Sequence, residues 1–182
     1  SPAKVVERIG ELAARYYWPL IVEGGLKVSV EGPKDDEPKE VHPDDVDWLT
    51  PFIEAYNQCE QADNELDEAP DVAATEVPVT IPHNGDQPTD GEVTLAIRSE
   101  DGDYDKFKNQ IAMFRGARHV VKYRQYGYTA RTAGQEFHGL LLAGRARYSS
   151  DVDEDDIAGS DAVVEDFFRK AEPEAHNTWE QE

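Results

Sequence analysis

The chain has 182 residues, 39 of them acidic and 18 basic, a net charge of −21, and a hydrophobic fraction of 38%. This is enough for one core, or a core with an appendage, in a globular rather than disordered chain. The single Cys59 excludes an internal disulfide framework and a cysteine-based zinc site. No apolar run reaches the roughly 18 residues of a membrane span, and Lys4, Glu7 and Arg8 are unlike a signal peptide. A soluble, cytoplasmic protein with no membrane partner is expected. Its acidity disfavours indiscriminate binding to nucleic acid or anionic lipid, and fits a high-salt proteome or a merely acid-rich one equally. The chain opens at Ser1-Pro2 without a methionine, which reads as a piece cut from a larger protein.

Ser1-Pro2 is a helix start, since Ser can cap and Pro suits the first helical position. Val5, Val6, Ile9, Leu12, Ala13 and Tyr16 recur at helical spacing, and the helix is expected to end near Trp18-Pro19. Gly24-Gly25 turns the chain into an alternating strand over 26–30. A Pro- and Asp-rich loop follows, and Pro43-Asp44-Asp45 opens a second helix with Val46, Leu49, Phe52, Ile53, Tyr56 and Cys59 on its apolar side. After a polar stretch over 61–75, strands are expected at 76–81 and 92–98, joined through Asn84-Gly85 and Asp90-Gly91. Two more are expected at 117–126 and 137–146, then a short helix at 163–171 built on Val163, Val164, Phe167 and Phe168. Runs of elements rather than strict βαβα alternation indicate an α+β fold: a mostly antiparallel or mixed sheet with helices packed on one face. Residues 1–75 form a helical, acidic first portion and 76–182 a sheet-containing portion; the alternative is one continuous domain.

No GxxxxGK[ST], GxGxxG, GxSxG, HExxH or CxxC pattern occurs, so no catalytic residue and no metal ligand is assigned. His119 and His138 fall on strands expected to be neighbours, but a zinc site needs three or four converging ligands. The acidic run Asp151, Asp153, Glu154, Asp155, Asp156 resembles a calcium loop without its glycine and distal Glu, and reads better as a solvated loop. Cys59 reads as inert core.

Charge segregation is the informative feature. From Tyr104 to Tyr148 there are nine Lys or Arg against two acids, so this segment carries +7 and the rest −28. Arg115, Arg118, Lys122 and Arg124 are the candidate nucleotide- or anion-binding residues, since guanidinium and ammonium groups suit phosphate on ATP or on a nucleic-acid backbone. Arg118, Lys122 and Arg124 share strand parity and are expected on one face if the strand is regular. The competing reading is that these cations pair internally with the surrounding acids.

Three segments resemble a known family. Residues 114–121, Phe-Arg-Gly-Ala-Arg-His-Val-Val, are similar to the "N-x-R-x-I/V" strand in the second, transducer-like (S5-type) domain of GHKL ATPases, the group of Hsp90, MutL, gyrase B and MORC relatives. Residues 137–144, Phe-His-Gly-Leu-Leu-Leu-Ala-Gly, resemble the following strand, and 171–177, Ala-Glu-Pro-Glu-Ala-His-Asn, the closing "L-E-P-x-H-N" segment. Gly-Ala stands where Asn-Gly is usual, and Ala175 where Thr is usual. The resemblance spans roughly 105–180 and lacks the ATP-binding half, with its Asn, DxG and Gly-rich lid motifs. It implies an accessory domain of a larger ATPase, with 76–182 the transducer-like portion and Arg118 or Lys122 reaching the γ-phosphate. It implies no cofactor in this chain, ATP and Mg²⁺ in the parent protein, and the ATP-binding domain of the same polypeptide as partner. The alternative is a stand-alone module that binds nucleic acid or an acidic partner through the basic strand; a third reading, a small enzyme, has no visible site.

Overall fold

The computed structural model describes residues 2–33, 37–61, 72–82, 88–100, 107–116, 118–126, 136–148, 152 and 157–170. Helix α1 (Pro2–Val22) runs through Pro19 instead of ending before it. An interior proline has no N–H and orphans the carbonyl four residues earlier, here that of Arg15. The Tyr123 hydroxyl donates to that carbonyl at 2.7 Å and accepts from the Trp18 indole N–H at 3.1 Å. A side chain from a distant strand thus replaces the missing helical hydrogen bond.

Gly24, at φ 76°, turns the chain back. The strand expected over 26–30 shortens to β1 (Ser29–Val30), paired with β2 (Lys39–Glu40) in a two-stranded antiparallel sheet. The second helix begins later than its prolines indicate. Pro43–Asp45 and Asp47–Leu49 are single 3₁₀ turns separated by an extended Val46, and α2 covers Thr50–Gln61.

The main sheet contains β3 (Val72–Ile81), β4 (Thr89–Glu100), β5 (Gln110–Arg115), β6 (His119–Gln125) and β7 (Glu136–Ala143), in the order β3-β4-β7-β5-β6. Every pairing is antiparallel except β5 with β7, which is parallel, so the sheet is mixed. The four expected strands therefore share one sheet, and the division at residue 75 falls inside β3. Strand β5 is an addition to the expected set. Ile111-Ala112-Met113-Phe114 is a continuous apolar run, and a strand covered on both faces loses the alternation that identifies strands in sequence.

β7 ends at Ala143, short of the expected residue 146. Gly144 takes φ 57° and opens a 3₁₀ turn to Arg147. A Cβ there would come within 2.6 Å of Glu165, so the helix α3 (Gly159–Lys170) leaves no room for a side chain.

The α+β class stands, but the helices do not all lie on one face. Trp18 of α1 and Phe52 and Tyr56 of α2 pack with Ala112, Phe114, Val120, Leu140 and Leu142. Val164 and Phe168 of α3 pack with Val93, Ala143, Leu141 and Val79. Leu140 and Leu142 alternate with Leu141 and Ala143 along β7, which puts the two clusters on opposite faces. The larger cluster is aromatic. Trp18 meets Tyr56 at 5.3 Å and Phe114 at 5.7 Å, both edge to face, and Trp48 stacks on Phe107 at 4.2 Å. Such contacts add to the burial of large rings.

Candidate functional site: the β5–β6 turn

The turn joining β5 to β6 carries two of the four candidate cations. Gly116 has φ 58° and Arg118 has φ 63°; the left-handed region suits glycine and is uncommon for arginine. Arg118 therefore lies in the turn, ahead of the strand it is expected to share with Lys122 and Arg124. Strand β6 also shifts register between Met113 and Phe114 of its partner: Phe114 pairs with Val120, but Met113 pairs with Lys122. Val121 is the extra residue of a bulge, which resets the alternation.

The expected common face of Arg118, Lys122 and Arg124 is thus corrected. Arg118 joins Val120 and Phe114 on the α1–α2 side, whereas Lys122 pairs laterally with Met113 on the other side. Arg124 lies farther along the edge strand, exposed, with its guanidinium 5.4 Å from the Tyr126 ring.

Arg118 is only 5% exposed. It donates to Glu23 Oε1 and to the Tyr56 hydroxyl, and Tyr56 itself donates to Glu23. The guanidinium carbon also lies 5.4 Å from the centre of the Tyr56 ring. Arg115, likewise buried, contacts Glu165 Oε1 of α3 at 3.3 Å, and Gly116 N–H donates to Glu165 Oε2 at 2.9 Å. One carboxylate from each face of the sheet therefore holds the turn. The internal-pairing reading describes Arg115 and Arg118 as they stand here.

A second polar centre lies where the 3₁₀ turn after β7 meets the start of α3, and nothing in the sequence reading singled it out. Arg147 Nη1 donates to both oxygens of Asp161, at 2.8 and 3.0 Å, and Nη2 to Glu76 at 2.6 Å and Glu92 at 3.3 Å. Burial alone lowers the pKa of Arg147, but its hydrogen bond to Asp161 and the three carboxylate charges raise it above the ordinary value. Tyr148 also donates to Asp161; burial, then this hydrogen bond, raises the pKa of its phenol. The only signal available beforehand was the Arg-x-Arg-Tyr spacing after an apolar strand, which is unspecific.

The histidines do not converge. β5 lies between β6 and β7, so His119 and His138 are not on neighbouring strands. His138 packs edge to face on Phe52 at 4.9 Å, and the His119 ring lies 6.4 Å from that of Tyr17. Among the described residues no group of three His, Cys, Asp or Glu is arranged to hold a metal ion. The acidic run apart from Val152, and the segment 171–177, lie outside the described residues. No described helix is long and apolar enough to cross a membrane.

No protein-family model, curated protein or solved structure matches the chain.

Proposed function

We propose that the chain is the transducer-like domain of a larger GHKL-type ATPase, coupling nucleotide state to the binding of a partner or nucleic acid. The observation that carries this reading is the β5–β6 turn. It has two buried arginines, a strained backbone, and carboxylates holding it from both faces of the sheet, Glu23 just after α1 on one and Glu165 of α3 on the other. A cation-bearing turn joined to helices on both faces can pass a local displacement to either layer, because packed elements switch between discrete arrangements rather than deform smoothly. Strained residues concentrate at such positions. The resemblance supports the same reading, since residues 114–121 and 137–144 occupy β5–β6 and the strand beside them. ATP and Mg²⁺ belong to the other domain; this chain supplies a cation, with Arg118 first and Lys122 second.

The test is the longer polypeptide. Its coding sequence should carry the Asn, DxG and lid motifs ahead of residue 1, and its ATP turnover should fall at least tenfold on Arg118→Met while the fold is kept. A gene without those motifs would sink the proposal. One observation favours the second reading, an interaction module: Arg124 stays exposed on the edge strand β6. Its mark is nucleic-acid binding by the isolated chain that weakens with salt and with Arg124→Ala.

A further inference from the structure

Glu23 occupies an electrostatically poor position. It directly follows α1, and its N–H closes the last turn on the Pro19 carbonyl at 3.0 Å. A carboxylate at that end faces the negative pole of the helix. Its Oε2 is buried with no hydrogen-bond partner, while Oε1 receives both Tyr56 and Arg118. Among the described residues, Arg118 is the cation that balances it. Arg118 in turn has a left-handed backbone, at φ 63°. The pair therefore combines two unfavourable elements, each tolerated because of the other.

A guanidinium fork recognises carboxylate and phosphate oxygens by the same planar geometry. We propose that Glu23 is a resident stand-in for a phosphoryl anion. While Arg118 is paired with Glu23 the turn is latched. A phosphate that takes Arg118 leaves the Glu23 carboxylate buried and uncompensated at the end of α1, and so loosens the α1–α2 junction. The backbone cost at residue 118 acts against the latch and lowers the free energy of opening. This rests on the coupling-domain reading and adds to it how the turn is regulated: the anion competes with an internal carboxylate, and the consequence is felt at α1.

The experiment titrates inorganic tripolyphosphate into the full 182-residue chain at fixed ionic strength, with binding measured by calorimetry and amide exchange followed over residues 19–26. Glu23→Gln keeps the shape and removes the competing charge; it should tighten binding by about tenfold, the size of effect that one pKa-unit-scale interaction supplies. Tyr56→Phe removes one contact to Arg118 and leaves no buried charge, so it should fold normally and give a smaller gain, about two- to threefold. Both gains should vanish when combined with Arg118→Met. In the unaltered chain, the anion should speed exchange at residues 19–26.

A folded Glu23→Gln protein that binds no more tightly, or a gain that survives Arg118→Met, overturns the latch. If Glu23→Gln does not fold, the absence of any gain in Tyr56→Phe overturns it equally. The coupling reading fails separately. In the longer polypeptide, ATP turnover indifferent to Arg118→Met removes that reading, even where Glu23→Gln still gains affinity for tripolyphosphate.

Discussion

Two arginines anchor the molecule, and they are built in opposite ways. Arg147 is oversupplied: Asp161 chelates it from the first turn of α3, Glu76 and Glu92 add charge from β3 and β4, and Thr94 Oγ1 accepts from Nε at 3.3 Å. Arg118 meets a carboxylate, Glu23, and a phenol, Tyr56, and has an unfavourable backbone. The first arrangement carries more negative charge than its cation needs and is locally unstrained, so it can only hold. In the second, Arg118 is the cation of Glu23 among the described residues, so the loss of Arg118 exposes that carboxylate. On the proposed latch, the fold separates the task of fixing α3 on the sheet from that of keeping a turn movable.

The comparison can be broken most directly at Arg147. Arg147→Met leaves Asp161, which is 1% exposed, with only the Tyr148 hydroxyl among the described residues. Removing one partner of a buried pair costs about 3–5 kcal/mol, to be read as a fall in the urea midpoint at unchanged slope. A loss below about 1 kcal/mol would show that the centre is solvated and the contrast false. Arg118→Gly should cost less, about 1–2 kcal/mol, because the loss of the Glu23 partner is partly offset by relief of a backbone cost of about 1–3 kcal/mol. Equal losses at the two sites would mean that the strain at residue 118 carries no energy.

The smallest effect at neutral pH is expected from the phenols, and it grows with alkalinity. Burial raises the Tyr123 phenol far above its unfolded value near 10, the Trp18 hydrogen bond offsetting a little of the rise. The unfolded chain therefore releases this proton first. The stabilisation is full below about pH 10 and falls as pH rises beyond it, by up to about 1.4 kcal/mol per pH unit for one such group. Tyr148 is raised in the same direction by burial and by Asp161. Tyr123→Phe should flatten most of the alkaline loss of stability, and Tyr148→Phe a minor part. The reverse ranking, from unfolding curves between pH 9 and about 11, would put the sensitive phenol at the Arg147 centre and not under α1.

Much of the fold is legible in the residues because the elements obey local rules. The apolar stripe of α1, the alternation in β4 and the turn signals around β3 and β4 each have a local cause. The departures all have distant causes. α1 passes Pro19 because Tyr123, from β6, takes up the Arg15 carbonyl, and no window of the sequence contains both residues. β5 carries no alternation because it is covered on both faces. The parity argument for Arg118, Lys122 and Arg124 fails on one inserted residue, Val121, which nothing in the composition of β6 marks. Arg115 and Arg118 stand out by charge, but their carboxylate partners, Glu165 in α3 and Glu23 just after α1, lie 50 and 95 residues away from them respectively. The pairing is a property of the sheet order rather than of the segment.

The link between Pro19 and Tyr123 also bears on the order in which the chain folds. The last turn of α1 lacks one of its own hydrogen bonds and borrows the replacement across 108 residues of sequence. Contacts of such separation form late, since a long loop must close before they contribute. A nascent α1 can wind as far as Trp18 unaided, whereas the turn that carries Glu23 waits for β6 to join the sheet. The carboxylate at that turn is thus set only once its cation, one strand-start away from Tyr123, has arrived on the same hairpin.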